Sequence, residues 1–278
     1  MLQKSYNGTP SLYLIPTPIG NLNDITKRSV ELLQTVDAIF AEDTRVTLEL
    51  LNALGIKNKI YTCQKFTEAK SSNQIIDLLK QGKNVGLVTD RGTPLISDPG
   101  AVVVKNVSEA GFNCISLPGA CALIPALNMS GLNQDKFLFY GFLNSKDSQA
   151  TKELEQIRDI NFTTVLYEAP HRLYKTLQNI NKILGNRQIS ISREITKVHE
   201  EVFRGTVEEA LNIYKETKGE IVIVISKTEN EVDYNSKLKE VEELIQLGLK
   251  TNDALKYISK KYNISKNIMY ELLEEKKK

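Results

Sequence analysis

An α/β protein with a largely parallel sheet is predicted by three observations. Short apolar runs alternate with amphipathic stretches from residue 11 to about residue 117, the rhythm of strands joined by crossover helices. Polar turns rich in Gly and Pro follow directly on several of those runs, where an α/β sheet presents its ligand-binding edge. The 278 residues, 41% hydrophobic and 25% charged, suit two α/β domains and a small appendage better than one core.

Each element has its own signal. Residues 12–15 form the first strand, and residues 25–33 repeat apolar side chains at helical spacing after Asp24, the expected cap region. Residues 38–41 make a second strand, 46–54 a helix stopped by Gly55, 75–79 part of a helix ending near Gly82, and 85–89 a buried strand. After Pro118-Gly119 a second α/β block begins, with a helix at 122–129 and strands at 137–142, 163–167, 189–192 and 220–225. The polar stretch 228–237 reads as a linker, and 241–247, 254–260 and 268–273 as three short amphipathic helices resembling a helix-turn-helix unit. The expected organisation is an N-terminal α/β domain over 1–117, a second over 118–227, and a linker with a small helical domain over 228–278. Lys276-Lys277-Lys278 reads as a solvated end.

Composition narrows the function classes. No apolar stretch approaches the roughly 20 residues of a membrane span, and residues 1–10 lack the apolar run of a secretory signal, so a cytoplasmic protein is expected. Cys63, Cys114 and Cys121 have neither zinc-site spacing nor disulfide density, and no metal is expected. A net charge of +2, from 36 basic and 34 acidic residues, neither announces nor excludes a nucleic-acid partner.

The chemistry lies in the turns. Thr17-Pro18-Ile19-Gly20-Asn21-Leu22 leaves the first strand in a tight loop that is not a G-x-G-x-x-G phosphate loop. Ala41-Glu42-Asp43-Thr44-Arg45 sets two acids and a base past an apolar strand, either as a charged site or as a helix cap by Asp43 or Thr44. The densest signal is Val88-Thr89-Asp90-Arg91-Gly92-Thr93-Pro94-Leu95-Ile96-Ser97-Asp98-Pro99-Gly100, whose glycines let backbone approach a ligand and whose carboxylates bind hydroxyl or ammonium groups. Leu117-Pro118-Gly119-Ala120-Cys121-Ala122 adds a second glycine turn, and Tyr167-Glu168-Ala169-Pro170-His171-Arg172 again puts polar groups after a strand. Arg193-Glu194-Ile195-Thr196-Lys197 and Arg204-Gly205-Thr206 read as charged loops, and His199 as a structural residue in a strand.

Five of these strings, at 17–21, 41–45, 92–100, 167–172 and 193–197, stand in an order that resembles the ribosomal RNA methyltransferases of the tetrapyrrole methylase superfamily, over nearly the whole chain. The resemblance implies two α/β domains with S-adenosylmethionine between them, a homodimer, and 2′-O-methylation of a cytidine in the decoding region of 16S ribosomal RNA within the small subunit. It places the cofactor against Asp90, Gly92, Thr93 and Pro94, against Pro118, Gly119, Cys121 and Ala122, and against Tyr167, Glu168 and Ala169, with Pro18 and Gly20 closing the catalytic side. It points to Glu42, Asp43 and Arg45 as the catalytic centre, a carboxylate serving as base and Arg45 steadying phosphate. A brace for the loop is the plain alternative for that trio, and His171 an alternative base. The chain departs from the family pattern at Arg91, Ala120-Cys121, Gln64 and Thr67. Two other readings stay open, a tetrapyrrole methyltransferase and a non-catalytic ribosome-binding factor.

Overall fold

The computed structural model describes residues 2–5, 7–158, 160–227, 234–262 and 266–276. It has two compact units, Met1–Lys227 and Thr228–Lys278, and both sheets lie in the first.

The first sheet takes its strands from β1 (Ser11–Leu14), β2 (Ala38–Ala41), β3 (Ile60–Thr62), β4 (Val85–Val88) and β5 (Asn113–Ser116), in the order β3-β2-β4-β1-β5. All its pairings are parallel, with Leu12 opposite Val85 and Ala41 opposite Val88. Parallel strands need crossovers, and α1 (Lys27–Thr35), α2 (Thr44–Ala53), α3 (Glu68–Lys80) and α4 (Ala101–Glu109) supply them. Leu33 and Leu51 pack with Ile39 on one face, and Ile75, Leu79, Val103 and Val107 with Leu12 and Phe40 on the other. Sandwiching buries both faces of β2 and β4, which explains their unbroken apolar runs.

The second sheet combines β6 (Phe137–Phe142), β7 (Thr163–Glu168), β8 (Gln188–Arg193), β9 (Glu201–Thr206) and β10 (Ile221–Ile225), in the order β6-β7-β10-β8-β9. Only β6 and β7 pair in parallel. Alternate residues of β10 divide between two cores. Ile221, Ile223 and Ile225 face the core containing Leu154 of α6 (Asp147–Arg158), Leu177 of α7 (Leu173–Leu184) and Ala210 of α8 (Val207–Ile213). Val222 and Val224 face Ala126 and Leu127 of α5 (Leu123–Ser130).

Several expectations are corrected. Thr26, not Asp24, caps α1 by accepting a hydrogen bond from the Ser29 amide, because residues 22–24 form a separate 3-10 turn capped by Asn21. Arg204-Gly205-Thr206 is the end of β9 rather than a loop, an edge strand paired on one side only, which leaves its charged side chains in solvent. His199 sits exposed in the turn between β8 and β9 rather than in a strand.

The second unit contains α9 (Tyr234–Gln246), α10 (Thr251–Tyr262) and α11 (Lys266–Glu275) around Leu238, Val241, Leu255, Ile258, Met269 and Leu273. The last four residues of the expected linker therefore belong to α9, while its residues 228–233 lie outside those described. Of the terminal lysines, Lys276 pairs with Glu242 at 2.7 Å, so it is not simply a solvated end, and Lys277 and Lys278 lie outside the described residues.

Candidate active-site cleft

Parallel pairing brings the carboxyl ends of β1, β2, β4 and β5 to one edge, and the loops leaving them form one wall of a cleft of about 570 Å³. That wall contains Ile19, Glu42, Val46 and residues 89–93 and 96–98. The loop that leaves β5 adds Cys121 and Ala122, and the second sheet and its loops supply Phe142, residues 167–170, Ile195 and residues 220–222. The volume falls within the range that holds small molecules and cofactors.

Backbone contacts fix the first wall. Thr17 and Gly92 exchange two amide–carbonyl hydrogen bonds of 2.9 and 3.0 Å, and the Thr17 hydroxyl donates to the Thr89 carbonyl at 3.2 Å. The Thr93 hydroxyl donates to the Ala120 carbonyl at 2.8 Å, tying the Asp90–Gly100 loop to the glycine turn. At Gly119 an added Cβ would stand 2.4 Å from Pro16 Cβ, so only glycine fits. Among the described residues, the non-glycine positive-φ positions are Leu95, Ser97, Glu194 and Thr196, in two loops that border the cleft. Strain gathered at a ligand-sized cleft is characteristic of functional loops.

Of the five acids that line the cleft, Glu168 and Glu220 are paired with basic side chains, and Glu42, Asp90 and Asp98 have no such partner among the described residues. The Thr89 hydroxyl donates to Glu42 Oε2 at 3.0 Å and also faces the Asp98 carboxylate, so one buried threonine joins the two acids. Burial, and then the Glu42 charge, push Asp98 up to about 6. The neighbouring arginines pair elsewhere, Arg45 with Asp43 and Arg91 with Glu220. Asp90 accepts the Asp43 amide at 2.9 Å, which fixes the entry to α2.

The expected catalytic residues separate here. Glu42 lines the cleft, whereas Asp43 is the N-cap of α2 and grips Arg45 at 2.5 Å. The Arg45 guanidinium holds Asp43 down at about 2, leaving it a weak base. Arg45 is exposed and is not itself a lining residue, and neither is His171, which is exposed on the 3-10 turn directly after the lining residue Pro170.

Of the expected cofactor residues, Asp90, Gly92, Thr93, Cys121, Ala122, Tyr167, Glu168 and Ala169 line the cleft, and Pro18, Gly20, Pro94, Pro118 and Gly119 do not. Tyr167 packs edge-on against Phe139 and Phe142, and its hydroxyl accepts the Leu123 amide at 3.2 Å. Burial raises its phenol pKa, so the ring stays neutral. The Glu168 carboxylate is buried and committed to Thr176 at 2.5 Å, its neighbouring Ala169 amide at 2.7 Å and Arg172 at 3.4 Å. At Gly20 an added Cβ would stand 2.4 Å from Lys197 Cγ, so the first loop lies against the 194–197 loop.

Charges cross the mouth. Glu220, just before β10, pairs with Arg91 from the first wall and with Lys197 at 3.0 Å, and Lys197 also holds Glu194 at 2.8 Å. The sequence assigns no role at the site to Glu220, Val46, Ile96, Phe142, Ile195 or Val222, and to Asp98 only the general ligand-binding character of its loop's carboxylates. Asp98 stood in the dense loop and was open to selection; Glu220 precedes an apolar strand and carries no local signal.

Comparison with known proteins agrees with this layout. The pattern of the family described as Tetrapyrrole (Corrin/Porphyrin) Methylases matches residues 11–211. The chain is 41% identical to the ribosomal RNA small subunit methyltransferase I of Bacillus subtilis (strain 168), over 97% of each chain. It is 38% identical to the protein of the same name in Haemophilus influenzae, over 95% of this chain and 96% of that one. Among solved structures, the methyltransferase CobJ superposes with a TM-score of 0.61 at 14% identity, covering 79% of this chain and 95% of that one. Diphthine synthase does so at 0.61 and 14%, covering 78% and 90%.

Proposed function

The chain belongs to the tetrapyrrole methylase family, and from that premise we propose that it is an S-adenosylmethionine-dependent methyltransferase of small-subunit ribosomal RNA, acting on the 2′-oxygen of a cytidine in the 16S decoding region. Identity of about 40% along essentially the whole of both chains to proteins named for that reaction carries the reading. We further propose that the enzyme works in the cytoplasm as a homodimer, which sedimentation at micromolar concentration would test.

The cleft suits this cofactor. Three carboxylates with no arginine partner among the described residues make an anionic site, and S-adenosylmethionine carries a sulfonium and an ammonium. Burial, and after it the Glu42 charge, lift Asp98 to about 6, and a cationic ligand beside these acids favours their charged forms. Backbone at Gly92, Thr93, Cys121 and Ala122 offers hydrogen-bonding groups, while Ile19, Ile195, Val222 and Tyr167 offer an apolar wall for a nucleobase. When bound, the cofactor supplies an electrophilic methyl group.

The protein's own residues orient the acceptor and take its proton. Glu42 accepts the proton of the ribose hydroxyl, held in place by the Thr89 hydroxyl, and Asp98 beside it provides a second oxygen acceptor. Asp43 does not compete for that proton. It fixes the start of α2 and aims Arg45, whose exposed guanidinium meets the substrate phosphate. Positioning of the hydroxyl in the strained loops supplies much of the rate.

The test is transfer of labelled methyl from S-adenosylmethionine to small subunits lacking the modification, with mapping of the labelled nucleotide. Label at one cytidine whose 2′-position resists alkaline cleavage is expected. A folded protein that binds the cofactor and labels neither subunits nor naked RNA would overturn the reading.

A further inference from the structure

Along the outer edge of the first sheet runs a feature that the cleft does not use. β3 is the terminal strand of its sheet, with one side unpaired among the described residues. From residue 50 to residue 67 the chain carries Lys57, Lys59 and Lys65 and no acidic residue. All three lysines are exposed, and none forms an ion pair among the described residues.

Two aromatic rings share this edge. Tyr61 is 41% exposed while stacking on Phe40 at 5.2 Å and 23°, so one face of the ring is supported. Phe66 is 99% exposed at the tip of the next turn. That turn is ordered from within: the Thr67 amide donates to the Gln64 carbonyl at 2.8 Å, and the Gln64 amide to the Thr67 hydroxyl at 3.1 Å. Holding a phenylalanine in water on a braced turn contributes nothing to a core.

The edge leads to the reacting end of the cleft. Thr62 pairs with Ala41, the Cys63 amide donates to the Ala41 carbonyl at 2.7 Å, and the next residue after Ala41 is Glu42.

We propose that Lys59, Tyr61, Lys65 and Phe66 form a docking strip for single-stranded RNA flanking the target nucleotide, with bases stacking on Phe66 and Tyr61 and phosphates meeting the lysines. Alternating cations and exposed rings match the two components of single-strand recognition, a charged track and a stacking platform. The proposal deepens the RNA reading and rests on it.

The experiment compares wild type with Phe66→Ala, Phe66→Trp and Lys59→Glu/Lys65→Glu, in methyl transfer to small subunits and in binding of a labelled short single-stranded RNA. Phe66→Ala is expected to raise KM for subunits about ten-fold with kcat and cofactor affinity unchanged, and Phe66→Trp to restore it. The double lysine variant should weaken RNA binding and flatten its salt dependence by about 0.7 per lysine removed. Wild-type transfer with unaltered KM in all three variants overturns the strip and leaves the proposed function intact. Should wild type transfer no methyl, the binding measurement still decides: RNA bound by wild type and lost in the variants supports the strip, and equal or absent binding overturns it.

Discussion

At the scale of single residues, the cleft turns on Asp98 and Glu42, two acids joined by Thr89. Asp98 titrates near 6 in the folded protein against an ordinary value of 3.8, so the folded state binds this proton more tightly than the unfolded chain. The associated stability is fully present below pH 3.8 and is lost as pH rises through about 6. Asp98→Asn should therefore stabilise the unliganded protein at pH 8, by on the order of 1–2 kcal/mol, read as a raised Tm. The same variant should remove an acid-side fall in kcat/KM centred near pH 6. Glu42→Gln is expected to lower kcat by about 100-fold or more while cofactor affinity changes a few-fold at most, measured by single-turnover transfer and calorimetry. Asp43→Asn should cost much less in kcat, since that carboxylate is already committed to Arg45 and the α2 amides.

At the scale of elements, Gly119 marks where the second glycine turn presses on Pro16. A methyl group there has no flexible neighbour to displace, so Gly119→Ala should destabilise by about 1–3 kcal/mol and weaken cofactor binding, checked by denaturant titration and calorimetry. What the sequence reveals and conceals follows from burial. β2, β4 and β10 are legible because both faces are covered and apolar residues run without interruption. β3 is hidden because it has three residues, two of them exposed. β9 looks like a loop because an edge strand tolerates Glu201 and Arg204. α4 is obscured by its opening Ala-Val-Val-Val, which carries no helical period. In the cleft, Glu42 and Asp90 are legible because they follow strands directly, whereas Glu220 comes before a strand and reaches the site only through antiparallel pairing.

At the scale of the whole first unit, the cleft takes its walls from two sheets, and Glu220 spans them by pairing with Arg91 and Lys197. Glu220→Ala should raise the Kd for S-adenosylmethionine several-fold, and salt should weaken binding to wild type more than to the variant. Equal salt dependence in the two proteins would remove this contact from the account. The Arg91–Glu220 pair also gives the departure of Arg91 from the family pattern a structural role on this chain.

The position of β10 has a consequence for how the protein is made. Although it is the last strand in sequence, it lies third of five in its sheet, between β7 and β8. Strands synthesised earlier must keep a slot open, and the pairings that close it join residues far apart along the chain, a slow class of event. Glu220, Ile221 and Val222 come with that strand, so the lining of the pocket is complete only once β10 is in place between β7 and β8. A cofactor that binds the finished pocket alone would thus act as a latch on folding, and the amides of β10 should gain the most hydrogen-exchange protection when it binds.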